Sequence, residues 1–292
     1  MPSISTTGQL ANISQEMMAK IRFTNEHNAP MVQLVESHML KKGHDTEIIP
    51  KVGQMNVRIL NEGEEMTDEE DLGLTTISVS TNEVGGYILL SRKLLRRTAA
   101  STGNLFSAAG RQFGEAQARL MNTDILALFT ALNGGTDFGS NGIPFSAANA
   151  TSAVARAKTG KFGGDLFMVH HPNAVMRLAR DLSTIGSGQI RPLPAGYSAD
   201  LLSKVWKGLM VWDVPVFETG DMDRDGSDDA IGVIADKSAI GVLREMAPTS
   251  DKDWVANRRS WQLTFVSEYI AFEIDDTKGA PITCDAADPT LA

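Results

Sequence analysis

The sequence predicts an α+β fold with a projecting hairpin, and three observations carry that expectation. An acidic, strand-patterned segment spans residues 46–90. An arginine-studded helical stretch follows at 91–132. Beyond a glycine-rich break at 133–143, short strands recur over 162–283, with a clear helix among them. A long hairpin with an acidic, lysine-free tip has little to bury against on a lone subunit. The arrangement therefore points to a chain that assembles.

Residues 1–45 read as an N-terminal helical arm. Ser14 can cap a helix carrying Met17, Met18, Ile21 and Arg22. Pro30 suits the first turn of a second helix, with Met31, Leu34, Val35 and Met39 at spacings of three and four. Gly43, after Lys41 and Lys42, would stop it.

Residues 46–90 read as an extended loop of two strands. Ile48 and Ile49 precede Pro50, Val57 and Ile59 alternate with polar residues, and Ile77 and Val79 alternate with Thr76, Ser78 and Ser80. Between them lie Glu62, Glu64, Glu65, Asp68, Glu69, Glu70 and Asp71 with no base among them, and no lysine occurs between Lys51 and Lys93. Such a run is either a solvated surface or a tip that docks on a basic surface of another subunit.

Ser91 is a plausible helix cap before Arg92, Lys93, Arg96 and Arg97. Apolar residues then recur at Phe106, Ala109, Phe113, Ala116 and Leu120, and again at Met121, Ile125, Leu128 and Leu132, an amphipathic helix of roughly eight turns. Asn133, Gly134 and Gly135 terminate it. Leu166–Val169 reads as a buried strand, Pro172 opens a helix through Val175, Met176, Leu178 and Leu182, and 185–198 reads as a flexible loop. Further strands are expected at 214–217, 230–235, 239–243, 261–266 and 269–274, with a disordered tail over 286–292.

Composition narrows the function. The chain has 292 residues, 42% hydrophobic and 22% charged, ordinary for a soluble globular protein. Its formal net charge of -9 opposes tight, sequence-independent nucleic-acid binding, which needs Lys and Arg to displace counterions. It suits a protein that tolerates DNA nearby by weak contact only. Cys284 is the sole cysteine, so neither an intrachain disulfide nor a cysteine zinc site is available. Residues 1–10 lack an apolar signal core, and no apolar run reaches bilayer-spanning length, so no membrane partner is expected.

Chemistry-bearing motifs are few. None of the five histidines pairs with another at a spacing of three or four, and adjacent His170 and His171 on a strand point to opposite faces. Asp221, Asp223, Asp225 and Asp229, with Gly226 at the sixth position, match the front of a calcium loop. Gly232 stands where the bidentate glutamate belongs, and the flanks read as strands, so an acidic turn loop competes with a calcium site. Neither Gly139–Gly142 nor Gly160–Gly164 has phosphate-loop spacing. No acid/base pair or nucleophile stands out, so no enzyme activity and no cofactor are expected.

The order of these segments resembles the major capsid protein of tailed double-stranded DNA bacteriophages, the HK-ninety-seven-like (Johnson) fold, over about residues 30–283. Residues 46–90 look like its extended loop and 104–132 like its spine helix. Asn141-Gly-Ile-Pro144 is similar to the break that follows that helix, and Phe167-Met-Val-His-His-Pro172 resembles the strand and helix of the axial domain. Lys207–Val216 looks like the family's G-x-x-V-P-V strand, and Ala230–Asp236 and Glu268–Glu273 are similar to its late strands.

The resemblance implies a peripheral domain at 91–150 and 255–285 and an axial domain at 151–254. It implies hexamers and pentamers closing an icosahedral shell around phage DNA, made and assembled in the bacterial host cytoplasm. An extended loop lying across the adjacent subunit would bring the acids of 62–71 near a neighbour's Arg92, Arg96, Arg97 or Arg111. Lysine-to-asparagine crosslinking, known in some members, is not expected without a loop lysine. With some 45 residues before the loop, a separate scaffolding protein is expected, and a portal protein and a decoration protein are further partners such a shell can take. An encapsulin-like nanocompartment shell is the alternative reading, and a calcium-binding surface module the second.

Overall fold

In the computed structural model the described residues are 30–51, 59, 62, 73–92, 103–184 and 206–289. Two long strands set the frame. β9 (Ile240–Val255) and β10 (Ser260–Glu273) form an antiparallel hairpin closed by a short 3-10 turn at Ala256–Arg258. β10 pairs on its other edge with β4 (Asn82–Ser91), from Ser260 opposite Ser91 to Tyr269 opposite Asn82. β1 (Glu36–Met39) runs parallel to β9 and completes a four-stranded sheet in the order β1-β9-β10-β4. The two strands expected at 261–266 and 269–274 are thus one strand with register shifts between Val266 and Tyr269. β-Bulges of this kind add a residue and increase local twist without ending a strand.

The spine helix α1 (Gly103–Leu128) lies along this sheet. Phe113 stacks on Phe265 at 4.5 Å, Gln117 Nε2 donates to Ser267 Oγ at 2.5 Å, and Tyr269 Oη donates to Asp124 Oδ2 at 2.8 Å. Helix residues 113, 117 and 124 share one face at a 3.6-residue period, and strand residues 265, 267 and 269 share one face at a period of two. The contacts span ~16 Å of helix at 1.5 Å per residue and ~13 Å of strand at 3.3 Å, so the two elements run together. The helix ends at Leu128, a turn earlier than its apolar spacing implies. A 3-10 turn at Leu132–Gly135 follows, with Asn133 and Gly134 both at φ 58.

A second sheet has the order β11-β8-β5-β7-β6. Its strands are β5 (Leu166–His170), β6 (Trp206–Val211), β7 (Val214–Glu218), β8 (Asp229–Asp236) and β11 (Gly279–Asp285). Alternation decides its two faces. Phe167, Val169, Phe217, Val233 and Ala235 pack with Ile125, Phe129 and Leu132 of the spine-helix end and with Met31, Leu34 and Val35. Met168, Val216, Ile234 and Ile282 pack instead with Val154 and Ala157 of helix α2 (Ala147–Thr159) and Val175 and Leu178 of helix α3 (Pro172–Thr184). Covered on both sides, β5 is buried along its whole length.

Four expectations need correcting. The second arm helix is absent: Pro30–Gln33 is one 3-10 turn, and β1 follows. Pairing with β9 satisfies this backbone, and burial alternates along 36–39 as a strand requires. Helix α2 is not expected from the sequence. Ser146 caps it by accepting from the Asn149 amide at 3.3 Å, and its buried face is mostly alanine. The domain limits at 254 and 255 do not divide the sheets, because β9 belongs with β10 and β11 returns to the five-stranded sheet. Finally, the tail is bonded through Asp288: Ala286 is buried and donates to Asp228 O at 2.9 Å, and Asp288 Oδ1 accepts from Asn173 Nδ2 and from Arg224 Nη1. The arm before Pro30, the strand expected at Val57 and the loop 185–198 lie outside the described residues, as do 290–292.

Candidate functional site

The extended loop begins as a two-stranded ribbon, β2 (Glu47–Lys51) and β3 (Thr75–Val79), paired from Glu47 opposite Val79 to Lys51 opposite Thr75. Its inner face is short. Ile49, Ile77 and Val79 pack on Leu40, Leu243 and Phe272, and Ile270 and Ile274 extend this cluster. Its outer face leaves Ile48 61% exposed, and Leu74 just before β3 is 59% exposed. Isolated two-stranded ribbons are marginal in water, so this one depends on its root.

An ion pair secures that root. Lys51 Nζ lies 2.6 Å from Asp275 Oδ1. The same oxygen accepts from the Thr277 amide at 3.1 Å and from Thr277 Oγ1 at 2.8 Å. Burial pushes the Asp275 carboxyl up, but the bonds from Lys51 and Thr277 outweigh it and hold the group below its usual value.

The ribbon leads into β4 through Ser80 and Thr81. Thr81 Oγ1 lies 3.4 Å from Glu245 Oε2 and 3.4 Å from Glu268 Oε2. Glu245 is raised in pKa, first by its hydrogen bond with Glu268, which requires a proton between the two carboxyls. At the far end of the same sheet Arg92 and the hairpin residues Arg258 and Arg259 are exposed and close together, and Arg92 N donates to Arg259 O at 3.0 Å. Sequence reasoning names Arg92 but misses Arg258 and Arg259, because a register of ten residue pairs separates them from Arg92 in sequence but not in space. Arg111 is exposed on the spine helix. Glu62 is exposed, while Glu64, Glu65, Asp68, Glu69, Glu70, Asp71, Arg96 and Arg97 lie outside the described residues.

The aspartate loop takes a different form from a calcium loop. Asp225 Oδ1 accepts from the amides of Ser227 at 2.8 Å and Asp229 at 2.9 Å, closing a hydrogen-bonded turn. Asp229 is buried, and its Oδ1 accepts from Gly142 N at 2.8 Å. Asp221 turns the other way, accepting from Asn122 of the spine helix at 2.9 Å. Asp223 is exposed. The four carboxylates do not converge, and no group of three His, Cys, Asp or Glu among the described residues could hold a metal ion. The loop instead clasps the Asn141-Gly-Ile-Pro144 turn, whose Ile143 O accepts from Asp285 N at 2.8 Å.

The histidine pair is structural. Burial pushes His170 down to about 4, so it is neutral at ordinary pH. Its Nδ1 accepts from His171 N at 2.9 Å, which leaves Nε2 to donate to Ile282 O at 3.2 Å. The ring stacks on Phe145 at 5.0 Å. Gly232 fits against it because a Cβ there would stand 2.4 Å from the imidazole. Burial, with Asp137, Asp229 and Asp285 nearby, pushes the Cys284 thiol up to about 12, far from a reactive thiolate. Among the described residues, no helix is long and apolar enough to cross a membrane.

Comparison with known structures matches this arrangement of sheets, spine helix and ribbon. The head structure of Helicobacter pylori bacteriophage KHP40 is similar with a TM-score of 0.69 at 10% identity, over 89% of this chain and 91% of that chain. The capsid of Ralstonia phage GP4 gives 0.63 at 12% identity, over 91% and 90%. The holo-SrpI encapsulin complex from Synechococcus elongatus gives 0.62 at 9% identity, over 100% and 95%. At such identities the likeness establishes the fold. No curated protein matches the chain in sequence. A family model described as phage capsid protein matches residues 74–280, from the second ribbon strand to the start of β11. The chain therefore belongs to the phage capsid protein family and has the HK-ninety-seven-like fold of a capsid shell subunit.

Proposed function

We propose that copies of this chain close as hexamers and pentamers into the icosahedral shell of a tailed bacteriophage, enclosing double-stranded DNA, and that the extended loop joins one copy to the next. The ribbon carries this reading: its root is fixed by a small cluster and one ion pair, while its outer face presents Ile48 and Leu74 to solvent. Exposed apolar surface at the end of a lever is buried by a partner, and that burial supplies most of the association energy. The acids of 62–71 set register and partner choice, since exposed ion pairs contribute only about 0–1 kcal/mol each.

The role is structural rather than catalytic, with no cofactor. The neutral His170 and the inert Cys284 support that reading. The shell forms in the bacterial cytoplasm with a separate scaffolding protein, takes a portal protein and, where present, a decoration protein, and becomes part of the virion. The encapsulin-like reading has the SrpI likeness in its favour. The match to the phage capsid family weighs against it. Terminase and portal genes beside the gene decide for the phage; a cargo enzyme with a docking tail decides for the nanocompartment. Electron microscopy of the purified chain tests the shell itself. Closed particles are expected, and a compact monomer at every concentration would overturn the proposal. Reversing Glu64, Glu65, Glu69 and Glu70 to Lys should impair closure.

A further inference from the structure

The end of the β9–β10 hairpin holds a basic cleft that the fold builds from three separate strands' ends. The Ser260–Ser91 pairing brings the end of β4 beside the hairpin turn, and Arg259 takes the left-handed conformation at φ 47. Ser91, Arg92, Trp254, Arg258 and Arg259 line an open cleft of about 280 Å³. Trp254 is 39% exposed and meets Trp261 edge-on at 5.3 Å, which fixes its ring as one wall. Among the described residues no carboxylate forms an ion pair with Arg92, Arg258 or Arg259. In a chain of net charge -9, three such guanidinium groups around one tryptophan reverse the sign of the surface locally.

The complementary group lies in the same sequence. Residues 62–71 carry seven acids and no base. Their own cleft is badly placed for them. The ribbon is rooted at Leu243, and Trp254 stands toward the other end of β9, roughly 36 Å away at ~3.3 Å per residue. A loop running from Lys51 to Thr75 and back reaches about that distance only when fully stretched. A second copy has no such constraint.

We propose that this cleft receives the acidic segment 62–71 of a second copy of the chain. The carboxylates pair with Arg92, Arg258 and Arg259, whose forked donors suit bidentate contacts, and Trp254 packs against the apolar stems of the incoming side chains. The proposal rests on the shell reading above and names the receiving surface that reading leaves open. It moves the contact from Arg111, on the spine helix, to the hairpin end. A polyanion is the competing occupant; the net charge of the chain disfavours it.

Charge reversal in trans tests this. One variant carries Arg258→Glu and Arg259→Glu, the other Glu64→Lys, Glu65→Lys, Glu69→Lys and Glu70→Lys. All six positions except the masked loop sites are exposed, and an Arg258→Gln, Arg259→Gln variant serves where reversal disturbs folding. Each variant alone should raise the concentration needed for assembly on the order of tenfold. An equimolar mixture of the two should restore assembly, because each tip then meets an opposite cleft only on the other chain. Normal assembly of both the Glu and the Gln cleft variants would overturn the proposal. So would failure of the mixture to recover, or rescue confined to a chain carrying both reversals, which would mean a contact within one copy. A cleft variant that assembles normally but loses affinity for a DNA oligonucleotide would assign the site to nucleic acid and overturn it too. If wild-type protein itself forms no particles, the shell reading fails instead.

Discussion

Replacing Lys51 with Met should loosen the extended loop without unfolding the body. Lys51 is the last residue of β2 and the cation at the ribbon root; its side chain is 38% exposed, and that of Asp275 is 10% exposed. Removing one partner of a buried pair costs about 3–5 kcal/mol, and of an exposed pair about 0–1. Solvent screening of the lysine places this pair near the lower range, so about 1–2 kcal/mol is expected at neutral pH. The Thr277 amide and hydroxyl still serve Asp275, which limits the loss. The acid side responds as well. Because the Asp275 carboxyl is held low in the folded chain, its contribution is present above the unfolded carboxylate value and disappears as pH falls through the folded one. Without Lys51 that contribution shrinks, and the acid limb of the stability profile moves to higher pH. Urea unfolding of dissociated subunits across pH 2–7, read by tryptophan fluorescence and paired with particle yield, measures all three effects. Wild-type midpoints throughout, with normal particle yield, would refute the ion pair as the anchor of the ribbon.

Three further outcomes are expected. Phe265→Ala removes the ring that Phe113 stacks on and should cost about 3–5 kcal/mol in equilibrium unfolding, with the loss concentrated where the spine helix meets the sheet. His170 is buried with its pKa at about 4, so folded stability should rise with pH between there and the unfolded value near 6.5, by about 3 kcal/mol in all; His170→Asn should flatten that slope in a melting series. Calcium at millimolar concentration should leave the melting temperature unchanged relative to chelator, since the four aspartates point to different partners; a rise of several degrees would show that the loop rearranges around an ion.

Local patterns in the sequence were informative where one face of an element was buried and the other was not. The 3.6-residue spacing from Phe113 through Ile125 marks the spine helix, and the apolar run at 166–169 marks the central strand of the second sheet. Helix α2 escaped because its buried face is Ala150, Ala153, Val154 and Ala157, too weakly apolar to register as a stripe. The Ser146 cap and Gly160 were its legible signals. The segment 30–39 misled because Met31, Leu34 and Val35 are buried at helical spacing by a single tight turn, and only the parallel partner β9 makes a strand of the next four residues. Pairings remote in sequence are not written in any local period. For the same reason Arg258 and Arg259 carried no signal as partners of Arg92. The acidic run was visible at once, being contiguous. The aspartate motif matched a metal loop by spacing, yet spacing cannot say which way each carboxylate turns.

The parallel pairing of β1 with β9 has a mechanical consequence. Tension drawn along the chain from the residues before Pro30 acts lengthwise on β1, so its ladder is loaded in shear, all rungs together, rather than peeled one rung at a time. Beside it, Met31, Leu34 and Val35 are wedged into the interior and resist the same tug. A subunit tethered this way can be hauled by its leading end without its sheet unravelling.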